Sequence, residues 1–313
     1  MTGRGGKGSP PDPELERAEL PVSGEFSLPA AAGFGFGPTE GRAPEFDGAM
    51  RLAFPIDGGR GYGGVVLRQA ELHGPVTVDL ELAGPGDRDA ALAQVARIVS
   101  LDHDGAAFLA LGMADPVLGA LQAAHPGQRP VLFHSPFEGA AWAIISARRP
   151  AAQGAQIRFA LGEALGHTFE LDGRILQAFP QPDRLLDMTG FPGLNPEKLA
   201  RLRGVAQAAL DGELDVSRLR QLGPERTYEE VQKLKGLGPF YAGLVTLRAS
   251  GFADALLQAP EPKVLTHAAR FYSLQDEPPS LEWFTALAER WRPFRTWATV
   301  LIRLAGDRGI AAP

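Results

Sequence analysis

The period of the apolar residues changes once along the chain. Val76, Val78, Leu80 and Leu82 alternate with Thr77, Asp79 and Glu81, which is the period of a strand with one buried face. Around that strand, from about residue 25 to 84, short apolar runs (FSLP, AMRLAFPI, GYGGVVLRQAEL) are broken by Gly, Pro and Asp and predict a small antiparallel β unit. After GPGDRD (84–89) the spacing becomes helical: Ala90, Leu92, Val95, Ala96, Ile98 and Val99 form one stripe behind an Asp-rich start. Helices are predicted over 88–101, 104–112, 115–123, 136–146, 152–165, 173–178, 182–188, 195–211, 215–221, 227–234, 239–250, 261–272, 280–291 and 293–306, mostly separated by Gly or Pro. The expected class is α+β with segregated elements: a disordered tail over 1–22, a β-rich domain with a linking helix over 23–112, and an all-α domain over 113–313.

Composition narrows the chemistry. The 313 residues suit about two domains. With no cysteine, disulfides, thiolate zinc sites, cysteine nucleophiles and cysteine-ligated iron–sulfur clusters are excluded. The six histidines (His73, His103, His125, His134, His167, His267) show no metal-ligand spacing. No apolar run is long enough for a spanning helix, and MTGRGGKGSPPDPELERAELP lacks the apolar stretch of a signal peptide, so a soluble, cytoplasmic protein is expected, and it is taken to be a monomer. GFGFG (33–37) and DGGRGYGG (57–64) do not open a helix after a strand and read as turn or bulge glycines rather than phosphate loops. A formal charge of −6 argues against nucleic acid, but it is unevenly spread: residues 196–313 carry 16 Lys and Arg against 14 Asp and Glu, residues 1–195 carry 15 against 23.

The most informative segment is LKGLGPFYAGLVTLR, Leu234 to Arg248. Two glycines bracketing one leucine between helical patterns describe a tight hairpin, and Pro239 suits the first position of the second helix. The first-turn amides of such a helix lack internal partners and can hold a phosphate through N–H groups alone. An ordinary helical corner with a glycine cap fits the string equally.

LKGLGPFYA resembles the helix-hairpin-helix of the HhH-GPD superfamily of DNA glycosylases, in its AlkA-type DNA-3-methyladenine glycosylase II branch. AERWRPFRTWA (288–298) is similar to that branch's W-x-P-W/F-R-S/T-x-A helix start. VARIVSLDHDG (95–105) with ADPVLGALQAAHPGQRP (114–130), SPFEGAAWAII (135–145) and FPQPDRLLDMTGFPGLNPEKLARLRGVAQAALDGELD, from Phe179 to Asp215, resemble the linker and the helices before the hairpin, in matching order over roughly 95–306. The β unit then matches the branch's N-terminal domain. The resemblance implies base-excision repair: an alkylated purine of the 3-methyladenine or 7-methylguanine type is flipped from duplex DNA and its N-glycosidic bond cleaved, with an aromatic pocket for the base and a carboxylate beside the sugar.

Carried onto this chain, the resemblance makes the amides of Gly236 and Gly238, with Lys233 and Lys235, phosphate contacts. It makes the carbonyls of Gln232, Leu234 and Leu237 ligands of a monovalent cation such as Na or K, the single cofactor implied. Bifunctional members carry a Schiff-base lysine where Phe240 stands, so a monofunctional enzyme is implied. Phe240, Phe133, Trp142, Tyr241 and Trp291 are candidate pocket aromatics, each equally suited to a core. Arg148 falls at the position that fills the space of the flipped base, with Arg149 beside it, in SARRPAAQG where the family often has GQxVS. The largest departure is at the catalytic aspartate: counting along ADALLQAPEPKVLTHAARFY brings Pro260 there, and one inserted residue brings Glu261, with Asp254 as fallback. Two functions therefore stand: an active glycosylase using Glu261, or a DNA-damage-binding member without the carboxylate.

Overall fold

A computed structural model describes residues 15–34, 45–58, 61–274 and 278–310. The β unit is a four-stranded antiparallel sheet of β1 (Glu16–Leu20), β2 (Met50–Pro55), β3 (Tyr62–Gln69) and β4 (Val76–Ala83), in the order β1-β4-β3-β2. The alternation in β4 works as read: Val76, Val78 and Leu80 are buried, while Asp79 on the opposite face accepts from Arg17 and Arg68. The short helix α1 (Leu28–Ala32) lies between β1 and β2, and the buried face packs on Ala91, Val95 and Ile98 of α2 (Arg88–Ile98). The expected tail ends sooner than residue 22, since Glu16–Leu20 pair with Val76 to Leu80; residues 1–14 lie outside the described residues, as does most of GFGFG. Gly63 and Gly64 sit within β3, where a Cβ on Gly64 would meet the Phe169 ring at 2.5 Å, so these glycines serve packing.

The helices are α3 (Gly105–Ala114), α4 (Pro116–Ala124), α5 (Pro136–Ser146), α6 (Ala151–Leu165), α7 (Pro182–Leu186), α8 (Pro196–Leu210), α9 (Val216–Leu222), α10 (Pro224–Gln232), α11 (Pro239–Arg248), α12 (Pro262–Phe271), α13 (Leu281–Ala288) and α14 (Arg295–Asp307). Asp87, Asp104, Asp115, Ser135, Asn195, Asp215, Glu261 and Ser280 each cap a helix with a side-chain oxygen, which is why the starts follow the sequence signals closely. One expected helix, 173–178, is instead a strand. β5 (Thr168–Leu171) and β6 (Arg174–Gln177) turn through Asp172 and Gly173 and lay Phe169 and Leu171 on Ala53 and Val66 of the sheet. The expected boundary at 112 falls inside α3, whose Phe108 packs on Trp297 of α14 with ring centres 5.2 Å apart.

The helices form two cores. Residues of α5, α6, α8, α10 and α11 make one; α3, α4, α12, α13 and α14 make the other. Among the described residues no helix is long and apolar enough to cross a membrane.

Candidate active site and nucleic-acid interface

The hairpin forms where the glycines predict it. After α10 the Leu234 amide donates to the Val231 carbonyl (3.1 Å) and the Leu237 amide to the Leu234 carbonyl (3.0 Å), and Gly236 turns the chain at φ +101°. A Cβ at Gly236 would be strained and would lie 2.7 Å from Cδ of Arg201 and 2.9 Å from Cδ1 of Ile144, so the turn rests directly on α8 and α5. Gly238 begins α11 with no side-chain cap, and neither its amide nor that of Gly236 meets a protein acceptor among the described residues. Gly238 and Lys235 are exposed. The arrangement is the uncapped helix start that suits an anion. Lys233 is exposed too, but its ammonium is bound to Glu230 at 2.7 Å, which offsets its charge.

Beside the hairpin, the turn between α5 and α6 collects cations. Arg148 is exposed and takes φ +56°, a left-handed conformation that costs an L-residue about 1 kcal/mol. Arg149 donates to the Gly193 carbonyl at 3.0 Å. The turn is closed by Lys198 of α8, whose ammonium donates to the carbonyls of Ile145 (2.8 Å) and Ala147 (2.7 Å) at the end of α5. Burial, together with Arg149 and Arg201, lowers the Lys198 pKa to about 8. Lys198 and Arg201 were not singled out by the sequence: both stand on one face of α8, but nothing local shows which element that face meets.

A cavity of about 350 Å³ lies where the two helical cores meet, between α11, α12 and α14 and against Phe34, which follows α1. Phe240, one turn past the hairpin glycines, lines it and is 54% exposed. Glu261 lines it from the start of α12, where its carboxylate caps the helix by accepting the Val264 amide at 2.6 Å. Proline on each side keeps Glu261 extended (φ −113°, ψ 102°), so its side chain meets the helix start rather than joining the helix. The same carboxylate faces Nε of Arg303, from α14, at 3.6 Å. Arg303 also binds Asp307, and Arg248 lies over the Phe34 ring at 4.7 Å while donating to the Val131 carbonyl. Burial, with Arg303 nearby, lowers the Arg248 pKa to about 9, which leaves it cationic at neutral pH.

The structure thus brings Glu261 and Phe240 to one cavity and sets others apart. Asp254 is not in it: its carboxylate accepts the backbone amide of Arg295 (3.2 Å) and its Nε (2.6 Å) and also meets Arg292 at 3.3 Å, which pins the start of α14. Trp291 is fully buried in the second core and donates to Asp115 at 3.1 Å. Trp142 packs in the first core against Gly154 of α6. Phe133 lies on a neighbouring cavity of about 320 Å³ under the sheet, across the Phe34–Arg248 pair. Tyr241 meets Phe240 edge to face (5.3 Å) and leans on the first core. Four of the five aromatics therefore lie outside the cavity that holds Glu261, while Arg303 and Phe34, reached only through tertiary packing, line it. Among the described residues no group of three His, Cys, Asp or Glu side chains could hold a metal ion.

No family model matches the chain. It is 23% identical over 204 residues to a Bacillus subtilis protein named DNA-3-methyladenine glycosylase, covering 64% of this chain and 66% of that one. It is 28% identical over 260 residues to a Mycobacterium tuberculosis protein named probable bifunctional transcriptional activator/DNA repair enzyme AlkA, covering 81% of this chain and 49% of that one. The chain thus spans about half to two thirds of the length of these curated relatives. Among solved structures, a 3-methyladenine DNA-glycosylase from Archaeoglobus fulgidus aligns with a TM-score of 0.72 at 21% identity, covering 94% of this chain and 99% of the other. An 8-oxoguanine glycosylase/lyase from Clostridium acetobutylicum aligns at 0.65 and 18%, covering 93% and 98%. The resemblance read from the sequence is thereby borne out: the chain has the fold of the helix-hairpin-helix DNA glycosylases, and its curated relatives carry the names DNA-3-methyladenine glycosylase and AlkA.

Proposed function

We propose that the protein is a monofunctional DNA N-glycosylase of base-excision repair, which draws a damaged purine from duplex DNA into the cavity between α11, α12 and α14. The observation that carries the proposal is that one cavity, opening beside the hairpin start, holds both an ionisable carboxylate, Glu261, and an exposed aromatic face, Phe240. A phosphate sits on the amides of Gly236 and Gly238, and Arg148 enters the stack from the α5–α6 turn. Phe240 stacks on the extruded base. As the bond from the sugar to the base breaks, the sugar takes on oxocarbenium character, and a fixed carboxylate stabilises that charge and orients the attacking water. No lysine lines the cavity among the described residues, which supports hydrolysis over Schiff-base chemistry. The turn carbonyls of Gln232, Leu234 and Leu237 are of the donor type that a monovalent cation takes, although that of Leu234 already accepts the Leu237 amide, so a cation would share it.

The test is release of free base from duplexes carrying one 3-methyladenine, 7-methylguanine or hypoxanthine each. The expected result is release of at least one base, leaving an abasic strand that breaks only on added alkali. A second reading, a DNA-damage binder without activity, is favoured by the fact that Glu261 already has two partners, the Val264 amide and Arg303. It predicts tighter binding to damaged duplex with no release of any of the three.

A further inference from the structure

Guanidinium groups outnumber carboxylates on the walls of the cavity among the described residues. Arg248, Arg303 and Arg308 line it against two carboxylates, Glu261 and Asp307. Two aromatic side chains line it among the described residues, Phe34 and Phe240, and the Phe34 face already carries Arg248 at 4.7 Å. Among the described residues the lining offers no closed aromatic cage for a positive base, since Trp142 and Trp291 lie in the cores. Arg303 is the guanidinium nearest the carboxylate, 3.6 Å from it, and is one-quarter exposed.

We infer that this cavity selects damaged purines that are electrically neutral, and that Arg303 is the residue that sets the preference. The inference rests on the reading of the cavity as the base pocket. When a neutral purine leaves, the bond between C1′ and N9 breaks with both electrons passing to N9. The base departs as an anion whose charge spreads over its ring nitrogens and exocyclic oxygen. Guanidinium N–H groups stabilise that charge as it develops, while Glu261 faces the sugar cation. Water then adds at C1′, and the proton it loses neutralises the departed base. An N-alkylated cationic purine leaves as a neutral base, draws nothing from the guanidinium, and is repelled by it in the ground state.

The experiment compares single-turnover release of hypoxanthine (neutral) and 7-methylguanine (cationic) from otherwise identical duplexes, each divided by its spontaneous rate. The full chain is expected to accelerate hypoxanthine release at least tenfold more than 7-methylguanine release. Arg303→Met should lower the ratio of the two accelerations at least tenfold, and Arg303→Lys should restore most of it. A larger acceleration of 7-methylguanine, or an equal fall of both in Arg303→Met, overturns the inference and leaves the glycosylase reading standing. Release of neither base overturns the inference, and release of none of the three bases, 3-methyladenine included, overturns that reading as well.

Discussion

At the scale of single residues, the site rests on local conformations that the sequence partly announces. Phe240 is identifiable because it stands four residues after the first hairpin glycine, and its 54% exposure shows that it is not core. Phe240→Ala should lower thermal stability only modestly, since about half of the ring is exposed, while costing about 1–3 kcal/mol in single-turnover kcat/KM through lost base stacking. Arg148 is the converse case, because its left-handed backbone is strained for any side chain but glycine. Arg148→Gly should hold or slightly raise Tm and yet slow excision about tenfold, equivalent to about 1.4 kcal/mol. A fall in Tm would show that the side chain serves folding. Glu261 was legible as a candidate from counting along the chain; its pairing with Arg303 was not, because 42 residues separate them and only the packing of α12 on α14 joins them.

At the scale of elements, the hairpin was legible because its turn needs Gly236, and the helix starts because their caps are short-range. Residues 173–178 are expected to be helical because RILQAF carries no strong alternation; they form β6 instead, because β5 beside them packs Phe169 and Leu171 on the sheet. The α5–α6 turn is held by Lys198, which nothing local in the sequence separates from other lysines. Its ammonium is a base with a depressed pKa, so it is charged below about 8 and neutral above it. Duplex affinity should therefore fall as pH rises from 7 to 9. The magnitude of the salt slope should fall by up to about one over the same range. Lys198→Met should bind more weakly at pH 7 and show a flatter pH profile; an unchanged profile would remove Lys198 from the interface.

For the whole molecule, the net −6 is a poor guide to the partner, because the surplus acid lies before residue 196 while the segment bearing the hairpin is near +2. The second core and the sheet are tied together by Arg129. It is buried, donates to the carbonyls of Glu25 (2.9 Å), Ser100 (3.0 Å) and Ser23, and lies over the rings of Phe26 and Trp297. Arg129→Met would leave three carbonyls short of a donor and should destabilise the protein by about 3 kcal/mol, measurable by denaturant unfolding. The same tie explains why a boundary at 112 could not be read from the sequence: the change of period is local, while α3 joins the second core through Phe108.

We propose that Glu261 acts on the sugar from within the base cavity. Single-turnover excision by Glu261→Gln, at enzyme concentrations that saturate the damaged duplex, tests it most directly. Glutamine can still cap α12 through its carbonyl oxygen but carries no charge, so duplex affinity is expected to stay within a few-fold of that of the unmodified protein and the rate to fall by about 100-fold or more. An unchanged rate would contradict it.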